Sequence, residues 1–143
     1  MPCQHKIEKS KDEDTYQEKK FQLECKIHSD QDYCTNQLKK CTWIRNHDNM
    51  KCFVHHQSEG KVTTSCDGPM KLGDSATKKE ERIQFDASKM KDGVCRIEFT
   101  SSSFKDAGEW TCSLEPCINT ECKIGTGDKI EATISVKVSL IVV

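Results

Sequence analysis

Apolar and polar side chains alternate along several short segments of the chain. In residues 21–27 (FQLECKI), Phe, Leu, Cys and Ile alternate with polar or charged neighbours. A period of two places successive side chains on opposite faces of a strand, so one face is buried and the other meets water. The same alternation predicts further strands at residues 41–45, 51–55, 82–86, 95–99, 109–114 and 130–143.

Polar residues and glycines separate these strands. Residues 46–49 (NHDN) carry turn chemistry, because Asn and Asp tolerate left-handed backbone geometry. Residues 57–80 have a weak pattern, and residues 76–83 have some helix propensity but no apolar face. Parallel sheets need helical crossovers, and the pattern offers none. About seven to nine short strands are therefore expected, which is typical of an all-β sandwich.

The length of the chain suits one domain. It has 143 residues, enough for a single sizeable core. Residues 1–20 are expected to form a polar N-terminal segment with room for a first strand, strand A, and Cys3 to tie that segment to the body. Residues 21–143 are expected to form the domain itself. The apolar residues 139–143 are either the end of the last strand or the edge of a longer protein.

Charge and hydropathy exclude two classes of partner. The chain has 22 Lys plus Arg against 23 Asp plus Glu. A nucleic-acid-binding protein usually has a basic excess, so nucleic acid is not expected as a partner. No apolar stretch approaches the roughly 20 residues of a membrane span, so we expect no membrane insertion. The first residues hold no apolar leader, and we expect Met1 to stand where a leader has been removed.

Cysteine is unusually frequent. The chain has ten Cys, a density typical of oxidising compartments. The alternative is zinc, whose structural sites favour C-x₂₋₄-C pairs. No C-x-x-C occurs, and the adjacent His55 and His56 point to opposite faces of a strand. We therefore expect disulfides, a secreted or cell-surface location on the extracellular side, and neither a metal nor another cofactor.

One short motif points to a known family. The stretch DAGEWTC, which begins at Asp106, resembles the D-x-G-x-Y-x-C motif at the corner between strands E and F of immunoglobulin domains. The resemblance implies a tight corner at Gly108 with a positive φ, and a Cys112 side chain that points into the sandwich. Trp110 stands where the family has Tyr, so the hydrogen bond of the corner has a donor but no hydroxyl acceptor. Asp106 is expected to pair with Arg82, which opens strand D.

Two upstream residues complete the resemblance. Cys25 lies in the middle of a predicted strand, and Trp43 follows on the next one. The order Cys25, Trp43, Cys112 is similar to the immunoglobulin pattern, in which a Trp of strand C packs on the disulfide between strands B and F. The resemblance implies an immunoglobulin-like two-sheet Greek-key sandwich with a core disulfide Cys25–Cys112. A variable-like or intermediate type is expected, because residues 50–80 leave room for strands C′ and C″.

The resemblance also indicates where the other eight cysteines lie. It implies that most of them lie toward the end that carries the B–C and F–G loops, although other pairings stay open. One set of pairs fits this arrangement: Cys117–Cys122 in the F–G hairpin, Cys41–Cys95 between the sheets, Cys52–Cys66 near strand C′, and Cys3–Cys34.

The sequence offers no catalytic motif. There is no G-x-S-x-G, H-E-x-x-H or glycine-rich phosphate loop, so we expect no enzyme activity. The family implies an extracellular protein–protein recognition module of an adhesion, immune or receptor ectodomain; the alternative is a secreted ligand or decoy complete in itself. The partner is expected to be another extracellular protein, and exposed sheet edges also permit a homodimer. Tyr33, in the expected B–C loop, is the candidate binding residue, ahead of Tyr16 and Phe104.

Overall fold

The computed structural model describes residues 3–57, 61–67, 70–72 and 82–140. This part of the chain is all-β, as the alternation predicts. The strands are β1 (Lys6–Lys9), β2 (Glu13–Tyr16), β3 (Phe21–His28), β4 (Leu38–Arg45), β5 (Met50–His56), β6 (Val62–Cys66), β7 (Met70–Leu72), β8 (Ile83–Asp86), β9 (Val94–Phe99), β10 (Gly108–Pro116) and β11 (Ile130–Ser139).

The strands form two sheets. One has the order β1-β3-β9-β8-β7, and the other has the order β2-β11-β10-β4-β5-β6. Neighbouring strands are antiparallel except for the pairs β2–β11 and β7–β8, which are parallel. The N-terminal segment therefore contributes an edge strand to each sheet, with β1 beside β3 and β2 beside β11.

The core lies between the sheets, where the inward faces of the alternating strands meet. Leu23, Cys25 and Ile27 of β3 are fully buried, whereas the residues between them are exposed or half-buried. Aromatic rings fill one side of this core. Phe99 stacks on Phe21 with ring centroids 4.0 Å apart and meets the edge of the Trp110 ring at 5.2 Å.

Three expectations about the strands are corrected. The described residues contain more strands than the seven to nine expected, because the edge strands β1, β2 and β6 lack apolar alternation and the edge strand β7 has only three residues. The last strand ends at Ser139, where its pairing with β2 also ends, and residues 141–143 of the expected strand lie outside the described residues. Strand β4 begins at Leu38, ahead of the predicted residue 41. Most of residues 76–83 lie outside the described residues.

The strand directions bring several loops to one end of the molecule. β3 and β5 end there, and β4, β9 and β11 begin there. We call this end the loop end; its described residues are 29–37, 57, 61, 87–93 and 117–129. At Gly93, a side-chain Cβ would lie 2.7 Å from the backbone oxygen of Asn36, so the β8–β9 turn packs tightly against the β3–β4 loop.

Candidate functional site

The core disulfide joins Cys25 of β3 to Cys112 of β10 and so links the two sheets. Trp43 pairs with Cys112 on one side and with Cys52 on the other, and its side chain is fully buried. Its indole Nε1 has no hydrogen-bond partner among the described residues. The large ring therefore contributes by filling the core beside the disulfide, since a lone buried N–H is unfavourable by about 1–3 kcal/mol.

The corner before β10 is closed by a hydrogen bond from the side chain of Trp110. The Nε1–H of Trp110 donates to the backbone oxygen of Asp106 at 2.9 Å, inside the core. Gly108 has a φ of +117°, a conformation that side-chain-bearing residues rarely adopt. The indole therefore ties the corner together without needing a hydroxyl group.

The carboxylate of Asp106 is fully buried and has two arginine partners. Nη1 of Arg82 donates to Oδ2 at 2.8 Å, and the backbone N–H of Ser103 donates to the same oxygen at 2.9 Å. Nη1 of Arg45 approaches Oδ1 at 3.4 Å, and its Nη2 donates to Asp48 at 2.7 Å. The sequence indicated the Arg82 pair but not Arg45, which lies at the end of β4. This cluster joins both sheets at the end opposite the loop end and has a structural role.

All ten cysteines form disulfides, and none is free. Besides the core disulfide, Cys41–Cys95 also joins the two sheets; we call it the second inter-sheet disulfide. Both of its cysteines are fully buried. The other three pairs coincide with the set that the resemblance favoured: Cys3–Cys34, Cys52–Cys66 and Cys117–Cys122.

Two of these bridges, Cys3–Cys34 and Cys117–Cys122, lie at the loop end, and we call them the loop disulfides. The first ties the N-terminal segment to the β3–β4 loop. Hydrogen bonds reinforce this link, because the backbone N–H of Gln4 donates to Oε1 of Gln31 at 2.9 Å and Nε2 of His5 lies 2.7 Å from the oxygen of Thr35. The β3–β4 loop is thus tied to the N-terminal segment by a covalent bond and by hydrogen bonds.

The second loop disulfide closes a tight turn in the β10–β11 loop. Within this turn, the backbone N–H of Ile118 donates to the oxygen of Ile124 at 2.9 Å. The turn is also tied to the β3–β4 loop, since the N–H of Cys117 donates to the oxygen of Gln37 at 2.8 Å. The two loops therefore form one connected unit.

Exposed apolar side chains occur on both of these loops. Tyr33 is 64% exposed, Ile118 52% and Ile124 66%. Tyr33 was the predicted binding residue, and the structure places it next to Cys34 of a loop disulfide. Sequence reasoning missed Ile118 and Ile124, although two isolated isoleucines in a polar loop between Cys and Gly were a visible signal. Tyr16 and Phe104 are also exposed but lie at the opposite end.

An open cleft of about 400 Å³ lies at the loop end, between the turn of the second loop disulfide and the β8–β9 turn. His56, at the end of β5, lines it together with Met90 and Lys91. Burial lowers the pKa of His56, and the positive charges of Lys39, His55 and Lys91 lower it further. The neutral form of His56 is therefore favoured.

The described residues contain no cluster of three His, Cys, Asp or Glu side chains that could hold a metal ion. The helical turns within them, Met90–Asp92 and Phe104–Asp106, have three residues each, and none is long enough to cross a membrane. The chain matches no protein-family model, and no curated protein resembles it significantly. Its function must therefore be argued from its own geometry.

Proposed function

We propose that the chain is a variable-like immunoglobulin domain, a Greek-key sandwich that recognises another extracellular protein through its loop end. In immunoglobulin domains, one sheet contains strands A, B, E and D, and the other contains G, F and C, to which variable domains add C′ and C″. The run β1-β3-β9-β8 has the order of the first sheet, and β11-β10-β4-β5-β6 has the order of the second. In this assignment Cys25, Trp43 and Cys112 lie on strands B, C and F, as the family pattern requires.

The disulfides support an extracellular location. Cytosolic thiols are kept reduced, so a chain that joins all ten of its cysteines in pairs suits an oxidising compartment. Two pairs lie in the fully buried core, where reduction would leave thiols among tightly packed side chains. The fold is thus suited to assembly outside the cytosol.

The observation that carries the recognition role is the exposure of apolar side chains on loops that disulfides hold in place. Exposed aromatic and aliphatic side chains are the usual anchors of protein–protein interfaces. They bind best from an ordered backbone, because an ordered loop loses less conformational entropy when it binds. Tyr33, Ile118 and Ile124 combine both properties at one end of the molecule.

The proposal is tested by presenting the full chain as a biotin–streptavidin tetramer to an array of extracellular proteins. A recognised partner is then titrated with single variants. Tyr33→Ala and Ile124→Ser are expected to weaken the affinity by about tenfold each, because truncating an interface anchor typically has such an effect. Tyr16→Ala is the matched control, since Tyr16 is also exposed, at 55%, but lies at the other end.

Two outcomes would contradict the proposal. If Tyr16→Ala weakens binding and the loop-end variants do not, recognition uses the opposite end. If all three variants bind as the original chain does, the exposed loop side chains are not anchors, and the loop disulfides serve stability alone. Circular dichroism spectra of each variant separate a lost anchor from a lost fold.

A further inference from the structure

The five disulfides differ in their exposure to solvent. In Cys3–Cys34 both cysteines are half-buried. In each of the others at least one cysteine is 1% exposed or less; these are Cys25–Cys112, Cys41–Cys95, Cys52–Cys66 and Cys117–Cys122. A reducing thiolate must reach a sulfur atom of the bridge, so access limits the rate of reduction. Cys3–Cys34 is therefore the bridge that a reductant reaches most easily in the folded protein.

The same bridge holds a strand that has few other attachments. β1 has four residues, of which Ile7 is half-buried and the others are exposed. The strand lies at the edge of its sheet and pairs only with β3. Lys6 meets Asp30 at 3.0 Å, but both side chains are mostly exposed, and such ion pairs contribute little. The position of β1 therefore depends strongly on the covalent bond beside it.

The chain that follows β1 is held more firmly. Thr15 of β2 is buried, and the backbone N–H of Gln17 donates to the oxygen of Ser139 at 2.9 Å. Between the two strands, the N–H of Ser10 donates to the oxygen of Glu24 at 2.8 Å. Cleavage of the bridge should therefore free the residues before Ser10 and leave β2 in its sheet.

The other end of the bridge lies next to Tyr33 in the β3–β4 loop. The hydrogen bonds from Gln4 and His5 to this loop come from the same segment that cleavage would free. The contacts of the loop with the β8–β9 turn and the β10–β11 loop are made by Asn36 and Gln37, which lie beyond Tyr33. Cleavage therefore removes a covalent bond and two hydrogen bonds together from the part of the loop that carries Tyr33.

We propose that Cys3–Cys34 is a regulatory disulfide, whose reduction by an extracellular dithiol oxidoreductase releases β1 and loosens the loop that carries Tyr33. A thiolate of the reductant attacks one sulfur of the bridge, the S–S bond breaks, and the other cysteine leaves as a thiolate. The second thiol of the reductant then cleaves the mixed disulfide. The reductant ends as a disulfide, and its two electrons and two protons pass to Cys3 and Cys34. The effect on partner binding rests on the proposed recognition role of the loop end, whereas the release of β1 does not.

The first test measures which bridge is reduced first in the folded full chain. The chain is incubated with thioredoxin, thioredoxin reductase and NADPH, and samples are alkylated at intervals and mapped by mass spectrometry. Cys3 and Cys34 should be alkylated about tenfold faster than the other cysteines, because both are accessible before the fold opens. Earlier reduction of another bridge, or simultaneous reduction of all five, would overturn the proposal.

Amide hydrogen exchange measures the release of β1. In the double variant Cys3→Ser/Cys34→Ser, peptides that cover residues 4–9 should exchange at least about tenfold faster than in the original chain, while β9 and β10 stay protected. Cys117→Ser/Cys122→Ser is the matched control, because it removes a bridge at the same end that is not attached to β1. Unchanged protection of β1 in the first variant, or an equal loss in the control, contradicts the proposal. If the first variant does not fold, the original chain is measured after selective reduction and alkylation of Cys3 and Cys34.

Partner binding separates regulation from recognition. Reduction of Cys3–Cys34 should weaken the affinity for the partner by about tenfold, because the loop must then be ordered when it binds. If Tyr33→Ala weakens binding but the chain without this bridge binds as the original does, the disulfide does not regulate the site and the inference is wrong. If Tyr33→Ala has no effect, the recognition role of the loop end fails instead, and the bridge is judged by the order of reduction and the exchange of β1.

Discussion

Replacing Asp106 by Asn is expected to destabilise the protein by about 3 kcal/mol. The substitution keeps the size of the side chain but removes its charge, and it turns one acceptor oxygen into a donor that faces arginine. The carboxylate is fully buried and accepts from Arg82 at 2.8 Å and from the N–H of Ser103 at 2.9 Å. Nη1 of Arg45 stands 3.4 Å from its other oxygen.

The size of the effect follows from what the two arginines retain. Removing one partner of a buried ion pair usually costs about 3–5 kcal/mol, because the remaining charge stays in a poor solvent. Here Arg45 keeps its bond to Asp48 at 2.7 Å, and Arg82 keeps a bond to the oxygen of Ser101 at 2.7 Å and is 21% exposed. Because both arginines keep a hydrogen bond, we expect the decrease in the free energy of unfolding to lie at the lower end of that range. In a domain of this size, about 3 kcal/mol lowers Tm by roughly 6–12 °C.

Thermal and urea unfolding with all disulfides intact measure the loss. Asp48→Asn is the matched control, because it removes the other carboxylate of Arg45 from a site that is 40% exposed, where an ion pair contributes less than about 1 kcal/mol. If Asp106→Asn were destabilised by less than about 1 kcal/mol, or no more than Asp48→Asn, the view of Asp106 as the charge that holds this corner would be wrong.

Three further predictions concern pH, backbone and disulfides. The arginine hydrogen bond lowers the pKa of Asp48 from 3.8 to about 2, so this carboxylate stabilises the fold above about pH 4 and loses that contribution as pH falls through about 2. The Tm of Asp48→Asn should therefore fall less steeply between about pH 5 and 2 than the Tm of the original chain; parallel curves would contradict this. Gly93 and Gly127 both have positive φ, but a Cβ at Gly93 would lie 2.7 Å from a backbone oxygen while one at Gly127 meets nothing within 4 Å. Urea titrations should show Gly127→Ala destabilised by about 1 kcal/mol and Gly93→Ala by clearly more, and equal losses would refute the role of the close contact. Replacing Cys117 and Cys122 together by Ser should lower the free energy of unfolding by about 2 kcal/mol, whereas replacing both cysteines of the core disulfide should lower it by about 4.6 kcal/mol. The difference is expected because the two disulfides have sequence separations of 5 and 87 residues, respectively. Scanning calorimetry makes that comparison, and a greater loss from the shorter loop would overturn it.

The sequence indicated the central strands well and the edge strands poorly. Residues 21–28, 94–99 and 108–116 have one face in the core, and burial of that face imposes the alternation from which strands are predicted. Strand β6 is exposed over most of its length, so no apolar period marks it. Its place depends on hydrogen bonds to β5 and on the Cys52–Cys66 disulfide, and the alternation of side chains encodes neither.

The residues of the candidate site were likewise predictable only in part. Cys112 and Trp110 could be given roles because the motif around them fixes local geometry over a few residues, and Arg82 could because the resemblance implies a basic partner for Asp106. Arg45 could not, because its approach to the corner depends on the register between β4 and β10, in which Arg45 lies opposite Trp110. The cleft at the loop end was equally hidden, since its lining comes from separate loops that are distant in sequence.

The two kinds of disulfide explain how a chain with few apolar residues can leave apolar side chains on its loops. Hydrophobic residues make up 34% of the chain, and ten of them are cysteines. The core and second inter-sheet disulfides are fully buried and link the sheets, so they act on the stability of the sandwich. The loop disulfides instead hold the segments that carry Tyr33, Ile118 and Ile124, which contribute little to the core because they face solvent. Removing an inter-sheet bridge should therefore mainly lower the free energy of unfolding. Removing a loop bridge should weaken partner binding more than it lowers Tm, because the loop must then be ordered at the moment of binding.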